Sequence, residues 1–181
     1  MLTQMMNRVP VLFKSLLDRK LDATEFLIQD HMKVEKLFMQ IQLLNRMYPR
    51  LPSRKLELKA RREKTFGEIR NELTKHTQAE ETVFYPECEK HDETRPMIKE
   101  ALEEHRQVKV LLDEMMDLSI NHETFAAKLT VLMENVRHHV REEEEKLLPK
   151  VRKVMTSMKL ERLAGQMRMK KSKRRKTAAA A

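Results

Sequence analysis

His76-Thr-Gln-Ala-Glu80 and His139-Val-Arg-Glu-Glu143 each set an imidazole and a carboxylate four residues apart. Four residues is about one helical turn, so on a helix the two side chains of each pair point the same way. Both runs continue with a second glutamate, Glu81 or Glu144, and both reach a proline ten residues after their histidine, at Pro86 and Pro149. A second pair of matching runs precedes them: Asp30-His31-Met-Lys-Val34 and Glu104-His105-Arg-Gln-Val108. The order is therefore acid-His, then His-x-x-x-Glu-Glu, twice along the chain. Neutral imidazole donates a nitrogen lone pair, and carboxylate both neutralises a cation and can bridge two of them. A mixed nitrogen and oxygen set without thiolate suits iron, with manganese or zinc as second choices. Two candidate bridging carboxylates and four imidazoles, two for each metal, point to a dinuclear site.

Apolar spacing shows what must position these groups. The first stretch opens at Asp22-Ala23-Thr24-Glu25, an acidic cap with a glutamate three residues on. It carries Leu27, His31, Val34, Phe38 and Ile41 on one stripe and ends near Tyr48-Pro49. The second follows Pro52 with Ser53 as cap, aligns Phe66, Ile69, Leu73, His76, Glu80 and Val83, and is ended or kinked by Pro86. The third starts near Arg95-Pro96 and aligns Ile98, Ala101, His105, Val108, Leu112 and Met115. The fourth follows Asn121 and aligns Phe125, Leu129, Leu132, Val136, His139, Glu143 and Leu147. Short polar links make neighbours antiparallel. The expectation is an all-α, up-down-up-down four-helix bundle whose two helix pairs are related by a pseudo-twofold.

The four histidines of the repeat, with Glu80 and Glu143, fall on the inward stripe. Burying four imidazoles and two carboxylates unpaired costs several kcal/mol each, roughly, so the interior must hold something that compensates. One inward histidine is ordinarily a hydrogen-bonded core residue, and one His-x-x-x-Glu is ordinarily a surface pair. Six such residues in two matched registers are neither. His91 and His122 fall at helix ends and His138 lies one position off its stripe, so these three are read as solvent-facing. Asp30 and Glu104 are read first as solvated surface charge, and second as groups that orient the ligands.

Composition agrees with helices. There are 2 Gly, no Trp, 14 Met, 4% aromatic and 36% charged residues in a chain of 181. That length favours one bundle over residues 22–158, flanked by an amphipathic segment over 1–21 and a basic tail over 159–181. The N-terminal segment reads as a short packing or fraying helix rather than a secretory signal or transit peptide. No run approaches the length of a membrane span. The lone Cys88 excludes an intramolecular disulfide framework, reads as an apolar filler, and suits the reducing cytoplasm. Seven basic residues and no acidic one lie in Arg168 to Lys176, leaving +2 of the net +9 elsewhere. This tail is expected to be disordered, and Lys170 to Lys176 to make at most nonspecific polyanion contacts. With Gly67 and Gly165 as its two glycines, the chain has no phosphate-binding glycine loop. Ferritin-like sites use Glu-x-x-His, which is not this pattern.

The string of His31, His76-x-x-x-Glu80, Glu104-His105-x-x-Val108 and His139-x-x-x-Glu143 resembles the hemerythrin-like, HHE cation-binding proteins, from about Asp22 to about Met155. The resemblance implies two iron ions joined by an oxo or hydroxo group. His31 and His76 would hold one, His105 and His139 the other, and Glu80 and Glu143 would bridge them. It also implies binding of dioxygen or a related small molecule, or sensing of oxygen, iron or redox state. One departure stands out: oxygen carriers of the family have a further histidine one turn before the third-helix ligand, where this chain has Ala101. The resulting openness favours peroxide or oxygen chemistry, or sensing, over simple carriage, unless Glu81 or Glu144 fills a position. The competing classes are a di-iron enzyme that consumes peroxide or oxygen, and a structural helical adaptor with a polyanion-binding tail.

Overall fold

Asp22 caps the first helix as its spacing predicts. Its carboxylate accepts the Glu25 N–H at 2.9 Å, while the Glu25 carboxylate takes the Asp22 N–H at 3.1 Å. From there α1 runs Ala23–Met47. A single 3-10 turn, Pro52–Arg54, leads into α2, Lys55–Ala79. The Ser53 side chain, expected as that cap, lies inside the 3-10 turn, and no side chain caps α2. Pro52 stands at the start of the turn, where its missing N–H costs nothing, and it does the initiating. The rod continues through a π-helical turn, Glu80–Phe84, into α3, Tyr85–Cys88. α4 spans Arg95–Met116 and α5 spans Glu123–Glu142. A second π-helical turn, Glu143–Leu147, connects α5 to α6, Leu148–Val154. The computed structural model describes residues 21–178, with side chains through 172. The helix expected near the N-terminus falls on residues outside that range.

Four antiparallel rods result, α1 packing along α2 and α4 along α5. Among the described residues there is no strand, and no helix is long and apolar enough to cross a membrane. The inward stripes are the expected ones, and every residue assigned to them is buried except Val83, which is half-buried. They form two apolar clusters. One, around Leu27, Phe84, Ile98 and Leu147, lies at the end where α1 begins. The other, around Phe38, Ile69, Leu112 and Leu132, fills the opposite end. His31, His76, His105 and His139 fall between them in sequence on all four rods, so the polar groups form a layer between two greasy ones.

The C-terminal segment corrects the sequence reading. Where a disordered tail is expected, Ser157–Ala178 forms α7, which lies against α1, α2 and the first π-turn. Leu160, Leu163, Ala164 and Met167 are buried at the spacing of one helical face and join the first apolar cluster. That stripe precedes the basic run and is short, and the lysines and arginines around it mask its periodicity. The burial of those four residues, rather than intrinsic propensity, holds the helix in place.

At the far end of the bundle Arg62 acts as a clamp. Its Nε donates to Asn45 Oδ1 at 2.6 Å, Nη1 to Asn121 Oδ1 at 2.7 Å and Nη2 to the Ile120 carbonyl at 2.9 Å. The guanidinium also covers the Tyr48 ring at 4.6 Å. One side chain thus ties α2 to the end of α1 and to the α4–α5 link. Arg62→Ala is expected to lower unfolding stability by about 2–4 kcal/mol, because three charge-assisted hydrogen bonds go and a shielded carbonyl is left unpaired. Denaturant titration checks this; an unchanged midpoint refutes the clamp.

Candidate metal centre

The two π-turns determine how the glutamates enter the interior. Glu80 N–H is shared between the His76 and Thr77 carbonyls, and Tyr85 N–H reaches back five residues to the Glu80 carbonyl. Glu143 repeats this with His139, Val140 and Leu148. The downstream prolines supply the physical reason. Neither Pro86 nor Pro149 can donate an N–H, and the ring crowds the carbonyl one turn earlier, so the helix widens instead of breaking. Both prolines lie on the exposed side of their rods.

All six residues picked from the sequence meet in one place. His31, His76, Glu80 and Glu143 offer ligand atoms within 4.8 Å of one another, and so do Glu80, His105 and His139. Glu80 Oε2 stands 3.1 Å from His76 Nε2 and 3.3 Å from His105 Nε2. Glu143 Oε2 stands 3.3 Å from His31 Nε2 and 4.0 Å from His139 Nε2. Each carboxylate therefore lies between one imidazole of the first helix pair and one of the second. The six are at most 5% exposed. His31 Nε2, both Glu80 oxygens and Glu143 Oε2 have no hydrogen-bond partner among the described residues. Buried lone pairs left in this condition are what a bound cation satisfies, so the residues present fit a metal.

Three of the four outward-facing ring nitrogens are held by a second set of carboxylates. Glu144 lies 2.7 Å from His31 Nδ1, Glu81 2.9 Å from His105 Nδ1, and Glu104 2.8 Å from His139 Nδ1. Asp30 lies 3.7 Å from His76 Nδ1. Asp30 and Glu104 are thus not the solvated surface charges first expected; their side chains are 13% and 19% exposed and face the imidazoles. Glu81 and Glu144 likewise turn to ring nitrogens instead of the centre. Such carboxylates fix the tautomer and make the inner nitrogen a better donor. His138 is 57% exposed and His122 caps α5 by accepting the Thr124 N–H, so neither enters the site. Cys88 is fully buried in the first apolar cluster, and burial pushes its thiol pKa upward, in keeping with a filler.

Tyr85 went unpredicted. It is buried, its hydroxyl donates to Glu143 Oε1 at 3.1 Å, and it stands 3.5 Å from His105 Nε2. The repeat holds the signal that could have found it: Tyr85 aligns with Leu148, so one half of the site carries a hydroxyl that the other lacks. Burial and the nearby Glu143 and Glu80 raise the phenol pKa well above its usual value, keeping it a proton donor. Ala101 is buried beside His139 and Glu143 and supplies only a methyl group. A cavity of about 10 Å³ borders all four imidazoles, lined otherwise by groups such as Leu73, Val108 and Val136. That is room for about one water-sized molecule. On the outside of His31 an apolar groove of about 430 Å³ runs between α1 and α5.

Four rods that converge on such a layer define a helical-bundle protein with a buried cation-binding centre. Comparison with known proteins agrees: a model of the hemerythrin HHE cation-binding domain matches residues 22–151, and the chain belongs to that family. An uncharacterized hemerythrin-like protein of Schizosaccharomyces pombe is 35% identical over 80 residues, 43% of this chain and 39% of its own length. A DNA nickase of Nostoc sp. is 30% identical over 147 residues, 80% of this chain and 37% of its own length. Both matches thus cover under two fifths of the relative. No solved structure matches the chain.

The charges of the centre make a pH prediction for metal-stripped protein. Burial disfavours the charged form of His31, but Glu143 and Glu144 overcome it and raise its pKa from 6.5 to about 10. His105 is raised to about 9 against the same burial, by Glu80 and Glu81. Groups raised in this way stabilise the fold fully below about 6.5, and that stabilisation is lost as pH climbs through about 9 to about 10. The thermal midpoint of stripped protein should therefore fall across that alkaline window, and metal uptake near neutrality should release protons. A midpoint that holds steady or rises there contradicts the assignment.

Proposed function

We propose that this chain is a non-haem di-iron protein that binds or senses dioxygen, a related small molecule, or the iron and redox state of its surroundings. His31 and His76 would hold one ion, His105 and His139 the other, with Glu80 and Glu143 shared between them. The observation that carries this reading is the position of the two carboxylates, each between an imidazole of one helix pair and an imidazole of the other, with three of their four oxygens unsatisfied. The donor set of nitrogen and oxygen without sulfur supports iron ahead of manganese or zinc. Bound metal would supply redox capacity and open coordination positions for an exogenous ligand. The chain's own residues shape what reaches it. Valines and Leu73 bound a cavity with room for about one water-sized molecule, and the outer carboxylates orient His31, His105 and His139.

A second reading, turnover of peroxide or oxygen, is favoured by Ala101 and Tyr85 together. The first leaves a position without a protein donor, and the second places an O–H where it can hold or pass a proton at Glu143 Oε1. A third feature bears on partners. The name of the Nostoc relative is that of an enzyme acting on DNA, and the run Lys170 to Lys176 would suit nonspecific contact with a polyanion. Retention of the protein on DNA that weakens steeply with salt would support that contact; salt-independent or absent retention would end it.

Protein expressed in iron-replete medium should contain about two iron atoms per chain and change its ultraviolet-visible spectrum between anaerobic and oxygen-exposed states. His76→Ala should lose at least one of the two irons. Absence of iron and of every other metal from folded protein refutes the reading. Peroxide turnover that disappears in His76→Ala and drops in Tyr85→Phe with iron content unchanged would select the enzyme.

A further inference from the structure

Three of the four site imidazoles have a carboxylate oxygen 2.7–2.9 Å from Nδ1, and the fourth, His76, has its nearest at 3.7 Å, beyond hydrogen-bonding range. His76 Nδ1 is buried and makes no hydrogen bond. The repeat alone does not predict this exception, because Asp30 occupies the position of Glu104, and Glu104 reaches His139 at 2.8 Å. Asp30 is one methylene shorter, which accounts for part of the gap. The Asp30 oxygen nearest His76, Oδ2, also carries the ammonium of Lys171 at 2.5 Å; Glu81 is likewise held by a lysine, Lys109 at 2.6 Å, but with its longer side chain it still reaches His105. Lys171 belongs to α7, outside the residues matched by the family model. It is well placed to compete. Its side chain is only 14% exposed, Asp30 is 13% exposed, Glu72 lies 3.8 Å away, and the ammonium lies 5.7 Å from the centre of the Phe26 ring.

We propose that Lys171 is a positioning residue for the metal centre: by holding Asp30 off His76, it makes the cation position at His31 and His76 weaker than the one at His105 and His139. The inference rests on the two-cation reading above. An imidazole whose outer N–H is bonded to a carboxylate is the stronger donor, and loss of such a partner typically costs about 10- to 100-fold in metal affinity. α7 therefore imposes an inequality on a site whose sequence repeat makes its two halves alike. The two positions fill and empty in order.

Titration of metal-stripped full-length protein with Co(II) under anaerobic conditions, followed by absorption and chelator competition, tests this. The wild type should fill in two resolved steps. In Lys171→Met, which keeps the stem over Phe26, Asp30 is free to close on His76, and the weaker step should tighten about tenfold. Lys171→Arg should retain the two steps. In an Asp30→Asn background, Lys171→Met should change nothing, since the effect runs through that carboxylate. Imidazole nitrogen-15 spectra should show the His76 Nδ1–H resonance moving in Lys171→Met while the other three stay, a signature that general loosening would not give. A weaker step that is unchanged or loosened in Lys171→Met overturns the proposal, as does a single wild-type step or an effect that persists without Asp30. Failure of the wild type to bind Co(II) at all overturns the two-cation reading and this inference with it.

Discussion

Burial of ionisable groups in a helical core is the constraint that governs this molecule. Four imidazoles and two carboxylates lie in a layer between two apolar clusters, each at most 5% exposed. Unpaired, such a layer would cost more than a domain of this size has in net stability, which is about 5–15 kcal/mol. The fold answers in two ways. Imidazoles and carboxylates face one another at the centre, and further carboxylates hold three of the four outer ring nitrogens. The price of that arrangement is a charge set that balances only over a limited pH range or with a cation bound.

The outer carboxylates also show how a small sequence repeat yields a polar network between rods, with one gap at His76. Each comes from a residue next to a site residue: Asp30 beside His31, Glu81 beside Glu80, Glu104 beside His105, Glu144 beside Glu143. None serves its own neighbour. Adjacent residues on a helix point about 100° apart, so a carboxylate one step from the inward stripe reaches across to the imidazole of the next rod. Glu81 thus supports His105, Glu104 supports His139, and Glu144 supports His31. The bonds that orient the site are therefore also bonds between rods, and bundle assembly and site assembly are one event.

What the sequence revealed followed from period. Stripes of 3.6-residue spacing located the four rods and their buried faces, and the six central residues lay on those stripes, so their convergence was legible without coordinates. Three features were not. Tyr85 comes after a π-turn, where an α-helical period no longer tells which side chains face inward. Asp30 and Glu104 lie at the edge of a stripe, where spacing does not separate a group in water from one reaching a neighbouring rod. The stripe of Leu160, Leu163, Ala164 and Met167 is only two turns long and is followed by lysines and arginines, so composition hid a helix that packing stabilises.

Each π-turn amounts to one surplus residue wound into an otherwise regular rod. Removing it would rewind everything downstream by about 100° and turn Tyr85 or Leu148 from the interior toward the flank of the bundle. The count of residues between each central glutamate and its proline is therefore under the same constraint as the chemical identity of those glutamates. A variant one residue shorter there could keep every polar group in the chain and still lose the arrangement that makes them a site.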